Sequence, residues 1–109
     1  MGDNKAQAVI RRQPTRFGKP SAPERVVIEM VDAPYDVKNK RPEALTRVIF
    51  RRGVTISLGD YNGERIDVGI EPVCPSTSKK IDGTYEWARD WVLERLGDEV
   101  DSLDEDEDE

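Results

Sequence analysis

The chain has no histidine, a single cysteine and no long apolar run. Without histidine there is no Cys-His nucleophile pair, and one thiol supplies too few soft ligands for a closed zinc site. Nor can Cys74 form a disulfide within the chain. Lying between Val73 and Pro75, it reads as a buried structural thiol. This cysteine usage fits a reducing compartment, and the expected location is the cytoplasm. No stretch approaches the ~20 apolar residues of a membrane span, and the first residues lack the apolar segment of a secretory signal. No membrane partner is expected.

Other chemistry-bearing patterns are also missing. Gly59, Gly63 and Gly69 are followed by no lysine-serine pair and no βαβ unit, so they do not form a phosphate cradle. Asp60, Glu64 and Asp67 gather near a loop, where solvation alone accounts for them. With no catalytic or metal-binding signature, the chain reads as a non-enzyme that needs no cofactor.

What is present is charge. Charged residues make up 37% and hydrophobic ones 36%, so the core of this 109-residue chain must be small. The formal charge is −6, unevenly spread. Residues 1–25 carry six Lys/Arg against two acids, residues 26–96 eleven against twelve, and residues 97–109 nine acids and no base. Three regions follow: a disordered basic arm over 1–24, one domain over 25–97, and a disordered acidic tail over 98–109.

The domain is organised around Thr46 to Glu71. Val48, Phe50, Val54, Ile56 and Leu58, then Ile66, Val68 and Ile70, all fall on even positions. Period-2 alternation predicts two half-buried strands, with Arg47, Arg51, Thr55, Ser57, Asp67 and Glu71 on the wet face. Arg52 breaks the parity, and Gly53 beside it suggests a bulge or bend that swings the charge outward. Asn62-Gly63 is a hairpin-turn signal. A strict two-residue turn there would put the two apolar sets on opposite faces. The parity therefore predicts either a wider loop over about 59–64, pairing Leu58 with Ile66, Ile56 with Val68 and Val54 with Ile70, or a bulge beside the turn.

Around this hairpin, RVVIEMV from Arg25 predicts a strand that is apolar on both faces, a candidate for a covered central position. Pro34 stops it, and Asn39, Lys40 and Arg41 invite a turn. Pro42 to Leu45 predicts a single helical turn with proline at its first position. Two prolines, Pro72 and Pro75, rule out a central strand between them. From Ile81 to Leu96 the period becomes helical, with Ile81, Tyr85, Ala88, Val92 and Leu96 in one stripe. Asp82 or Ser78 is the cap, and Gly97 is the stop. Trp87 and Trp91 flank the stripe and read as core rather than as a base-stacking platform. The fold class expected is α+β: a small antiparallel sheet of three or more strands with one C-terminal helix on one face.

The run Arg52-Gly53-Val54-Thr55-Ile56-Ser57-Leu58-Gly59-Asp60-Tyr61-Asn62, followed by Arg65-Ile66-Asp67-Val68-Gly69, resembles a hairpin of small uncharacterised tailed-bacteriophage proteins. That hairpin has the form Gly-x-x-x-Asn-Leu-Gly-Asn-Tyr-Glu, followed by alternating valines. The resemblance covers about residues 46–96 and extends to the C-terminal helix. Ser57 replaces the asparagine, and Asp60 and Asn62 depart in the loop. The resemblance implies a phage origin, hence a host-cell cytoplasmic location, and a DNA-metabolism or host-takeover role. It carries over no catalytic residue.

Two functions compete. Lys38, Lys40, Arg41, Arg47, Arg51, Arg52 and Arg65, with Tyr61 at the loop tip, make a candidate groove for single-stranded nucleic acid: the cations track phosphates and the ring stacks on a base. The basic arm, small domain and acidic tail resemble the layout of single-stranded DNA-binding proteins, whose acidic tails recruit replication partners and compete for the groove. The alternative is an inhibitor or adaptor of a host or phage protein, docking through a sheet edge, the helix or the tail. The −6 charge favours it, because nucleic acid is repelled at long range. Neither reading sets an oligomeric state.

Overall fold

The computed structural model describes residues 4–38 and 40–107. The expectations for residues 1–3, for a turn at Asn39 and for the last two acids lie outside the described residues, as do the side chains of 104–107.

The chain is α+β: an antiparallel sheet with one C-terminal helix. β1 (Lys5–Arg16) leads through a two-residue turn to β2 (Lys19–Pro20), and β3 (Arg25–Asp32) follows. A loop and a single 3-10 turn at Pro42–Ala44 come next, the latter opened by proline as expected. β4 (Leu45–Arg47), β5 (Phe50–Gly59), β6 (Asn62–Glu71) and β7 (Val73–Pro75) complete the strands, and α1 (Ser78–Glu107) closes the chain. The main sheet runs β2-β1-β6-β5, and β3 pairs with β1 alongside β2. β4 and β7 form a separate two-stranded ribbon, so the segment bounded by Pro72 and Pro75 stays out of the main sheet.

Residues 5–16, expected in a disordered arm, are instead central. β1 pairs with β3 along eight residues and with β6 along ten. Ala6, Ala8 and Ile10 alternate into the core and are almost fully buried. Arg12 follows them on the same face, bound by Glu64 of β6 at 3.1 Å and Glu99 of α1 at 3.4 Å. Two carboxylates from distant parts of the chain compensate the charge that the core face would otherwise reject.

The β5–β6 hairpin keeps the expected parity but not the expected pairs. Phe50 faces Ile70, Arg52 faces Val68 and Val54 faces Ile66. The turn is Asp60-Tyr61, not Asn62-Gly63, and Leu58 is the extra residue of a bulge between Ser57 and Gly59. A bulge beside the turn was one of the two ways to keep both apolar sets on one face. The four-residue slip preserves parity and moves Leu58 out of the core to an exposed position. At Arg52 the strand runs on without a bulge; the side chain is exposed because β5 is an edge strand.

α1 begins three residues before the expected start, capped by Thr77, whose Oγ1 accepts from the Lys80 N–H at 3.3 Å. It also passes through Gly97. Val100 and Leu103 continue the apolar stripe, and Leu103 is buried in the same core as Leu96. The first part of the expected tail is therefore a packed helix. Thr84, Ala88, Val92 and Leu96 form the buried face, while Tyr85, expected in the core, is 45% exposed. Trp87 and Trp91 pack half-buried against the core, as expected.

The helix lies across β6 and β5. It is tied to β3 by the ion pair of Arg95 with Glu29 at 2.5 Å, and Val31 of β3 packs at the margin of the same core. β3 is thus an uncovered edge strand, not the covered central one that its double-sided apolar pattern suggested. The molecule is long, 53 × 24 × 20 Å, with the helix N-terminus and the β4–β7 ribbon at one end and the tips of two hairpins at the other.

Candidate interaction surface

The face of the sheet away from α1 is open, and strand parity decides what it shows. Odd positions of β1, β5 and β6 point there, together with even positions of β3, since each β1 residue pairs with a β3 residue of opposite parity. Two halves result. Over β3 and β1 lie Val26, Ile28, Met30 and Val9, and the three β3 side chains are 47%, 59% and 59% exposed. Over β6 and β5 lies a trough of about 370 Å³ lined by Arg11, Arg51, Arg65, Asp67 and Glu71, with Val9 on its apolar border and Arg52, whose even position turns its side chain to the helix side, at its β5 edge.

The trough has a floor because Gly53 and Gly69 stand where other strands carry side chains. The Asp67 carboxylate lies over Gly53 and the Arg51 side chain over Gly69, so a Cβ at either glycine would collide. Three arginines against two carboxylates on this face leave the lining positive. Arg65 pairs with Asp67 at 3.1 Å, Arg11 with Glu24 at 3.3 Å, and Arg51 with Glu71 at 3.8 Å. These are exposed pairs, each worth roughly 0–1 kcal/mol, so a partner's carboxylates can replace them at small cost.

At the edge of the sheet, Glu29 on the helix side of β3 is held below the usual carboxylate range. The hydrogen bond from Arg95 is the main cause, and the same contact raises the Arg95 pKa. Asp32 at the end of β3 is lowered likewise by Lys5.

The structure divides the eight residues of the expected groove. Arg51 and Arg65 line one trough, with Arg52 at its β5 edge. Arg47 sits on the separate ribbon in β4. Lys38, Lys40 and Arg41 lie in the loop after β3, which packs near the start of α1 through Tyr35, with Lys80 5.5 Å from its ring. Tyr61 is at the far tip. Eleven residue steps along β1, at ~3.3 Å each, put about 36 Å between the two ends, so these cations do not share one short groove with Tyr61.

Phe17 was legible in the sequence as an aromatic among the cations of the basic arm, but not as a neighbour of Tyr61. It occupies the tip of the β1–β2 hairpin beside Tyr61, with ring centroids 4.8 Å apart and nearly parallel, and Arg16 lies 5.6 Å from its ring. The Phe17 N–H donates to the Tyr61 carbonyl at 2.8 Å. Both turns hold non-glycine residues at positive φ: 54° at Phe17, 53° at Asp60 and 65° at Tyr61. Such turns match the twist of a two-residue hairpin. The only signal in the sequence was Phe17-Gly18, which marks a turn once β1 and β2 are recognised as strands.

Among the described residues no helix is long and apolar enough to cross a membrane. Compared with models of known protein families, with curated proteins and with solved structures, the chain matches none.

Proposed function

We propose that this protein is a non-enzymatic interaction module that docks an acidic, apolar-faced protein segment across its open sheet face. One observation carries the reading: Val26, Ile28 and Met30, with half-buried Val9 beside them, form an exposed aliphatic strip next to the arginine-lined trough, on a face that no described element covers. Contiguous exposed apolar surface rimmed by charge is the mark of a docking site. Methionine and arginine are enriched in such interfaces. The flanking arginines orient an acidic partner, while the acidic helix on the opposite side repels it from the wrong face.

A second reading, a single-stranded DNA-binding or replication accessory protein, draws on the Phe17–Tyr61 stack and Arg16 at the tip. Bases stack on exposed rings, and nearby cations hold phosphates. Aliphatic side chains add little to that chemistry, which is why protein docking ranks first.

Fluorescence anisotropy with two probes separates the readings: a peptide alternating glutamate with leucine, and an oligothymidylate. Docking predicts that the peptide binds and that Met30→Asp and Arg51→Ala each weaken it about tenfold, the loss of ~1.4 kcal/mol expected at an interface anchor. Tyr61→Ala should leave peptide binding unchanged. Oligothymidylate binding that falls with Tyr61→Ala and ignores Met30→Asp would overturn this order.

A further inference from the structure

We infer that two copies of this chain pair edge to edge along β3, antiparallel, about a two-fold axis through Ile28 and normal to the sheet. The pairing uses the strand edge rather than the face, so it stands or falls separately from peptide docking.

β3 is the outer neighbour of β1, and its eight residues run Arg25-Val26-Val27-Ile28-Glu29-Met30-Val31-Asp32 in unbroken register with β1. Its inner backbone groups are paired; among the described residues its outer row faces no strand of the sheet. Soluble proteins blunt such edges with lysine, proline, bulges or a covering element. β3 has no proline, no lysine and no register shift, and α1 lies over the other side of the sheet. Most of its apolar residues are exposed, with Val27 48% exposed on the helix side and Ile28 59% exposed on the open side, while Val31 is half-buried against the core. Another strand is the natural partner for an edge that offers free backbone groups and apolar side chains on both faces.

The occupant follows from symmetry and charge. A two-fold axis normal to the sheet keeps both helices on one side and both open faces on the other. Centred on Ile28, it sets Ile28 against its twin and Val26 against Met30, so that three aliphatic side chains from each copy join in one strip. On the helix side Val27 meets Glu29, and Arg25 meets Val31. Glu29 is already neutralised by Arg95 within its own chain. Asp32 and Glu24 at the ends are likewise held by Lys5 and Arg11. An axis through Glu29 would instead press two carboxylates together, and like charges directly opposite are destabilising. With α1 set back over β6 and β5, no helix obstructs the approach. The dimer would double the width of the open face.

An edge contact of this size lies at the small, reversible end of specific interfaces, so the mass should depend on concentration. Sedimentation equilibrium of the full chain is expected to show 12.4 kDa at low concentration, rising toward twice that value. Ile28→Lys puts two ammonium groups on the axis and should hold the mass at the monomer value with the fold kept, since the side chain is exposed. Thr55→Lys on β5 should dimerise like the parent. A variant independent of that charge, Ile28→Cys, should cross-link under mild oxidation to a dimer seen on a non-reducing gel, while Thr55→Cys should not; the native Cys74 is fully buried. A parent that stays monomeric at every concentration overturns the pairing. So does an Ile28→Lys dimer as strong as the parent's, equal loss with Thr55→Lys, or failure of Ile28→Cys to cross-link.

Discussion

β3 and β5 are both edge strands of one sheet, yet they are built on opposite plans. β5 carries Arg51 and Arg52, bends at the Leu58 bulge, and has α1 across one face. Its tie to the helix is apolar: Phe50 meets Tyr85 edge-on at 5.7 Å, and Val54 and Ile56 pack on the core. β3 keeps an unbroken register, is aliphatic on both faces, and is tied to the helix side by the Arg95–Glu29 ion pair and by Val31 at the margin of the core. Off-centre placement of the helix creates the difference. A single helix cannot cover four strands at ~4.8 Å spacing, so one edge is closed and defended and the other is left open. Charges on an edge oppose association, whereas aliphatic residues there invite it. Under the proposed docking function, the contrast assigns partner binding to the β3 side.

The largest expected effect comes from placing the same charge in a central strand and on the open edge. Val68 in β6 is 1% exposed, while Ile28 is mostly exposed. Val68→Asp buries an unpaired carboxylate, costing several kcal/mol against a total stability of about 5–15. It should abolish the cooperative melt. Ile28→Asp, measured on dilute protein, should stay within about 1 kcal/mol of the parent. Equal loss from both substitutions would show that β3 is covered and the comparison misdrawn.

A smaller effect compares the two edges directly. Phe50 of β5 faces Ile70, and Val27 of β3 faces Ile10, each on the helix side of the sheet. Phe50→Ala removes a half-buried ring and its contact with Tyr85. Since a fully buried Phe→Ala costs ~3–5 kcal/mol, about 2 kcal/mol is expected here, a fall in Tm of roughly 10 °C. Val27→Ala should cost well under 1 kcal/mol, because half of that side chain is already in water. Thermal melts of the two variants test the ranking, and reversal would mean that α1 supports β3 more than β5.

Much of the closed edge was legible in the sequence, and little of the open one. The even-position parity of Ile66, Val68 and Ile70, and the spacing of Ala88, Val92 and Leu96, describe local periods that no partner strand alters. β1 escaped notice because its core face is Ala6, Ala8 and Ile10, two of them too small to stand out. The next residue on that face, Arg12, is acceptable only through Glu64 and Glu99, 52 and 87 positions away. With β1 unseen, β3 could not be recognised as an edge, nor its aliphatic residues as a surface. Arg51 and Arg65 of the trough were readable from alternation; Arg11 and the apolar half depended on topology. Beyond Gly97, Val100 and Leu103 continue the helical stripe, but nine acids in the last thirteen residues mask them.

The smallest effect concerns the ion pair that joins β3 to the helix. The Arg95 hydrogen bond holds Glu29 below its ordinary value of 4.5. A carboxylate whose folded pKa is depressed stabilises the fold above its unfolded pKa, and that contribution fades as the pH falls through the folded value. Glu29→Gln should therefore cost stability at pH 7 and match the parent once the pH is well below the carboxylate range. Both side chains are partly exposed, about 36% for Glu29 and 26% for Arg95, so the loss at neutral pH should stay below about 1 kcal/mol. Arg95 also keeps Glu99 at 3.2 Å and lies 6.0 Å from the Trp91 ring, so it stays anchored without Glu29. Urea unfolding midpoints at pH 7 and at pH 3 measure the difference, and added salt should shrink it at pH 7 only. An equal deficit at both pH values would mean that Glu29 holds β3 by packing rather than by charge. A deficit of several kcal/mol at pH 7 would mean that this contact, and not the backbone ladder to β1, keeps the open edge in place.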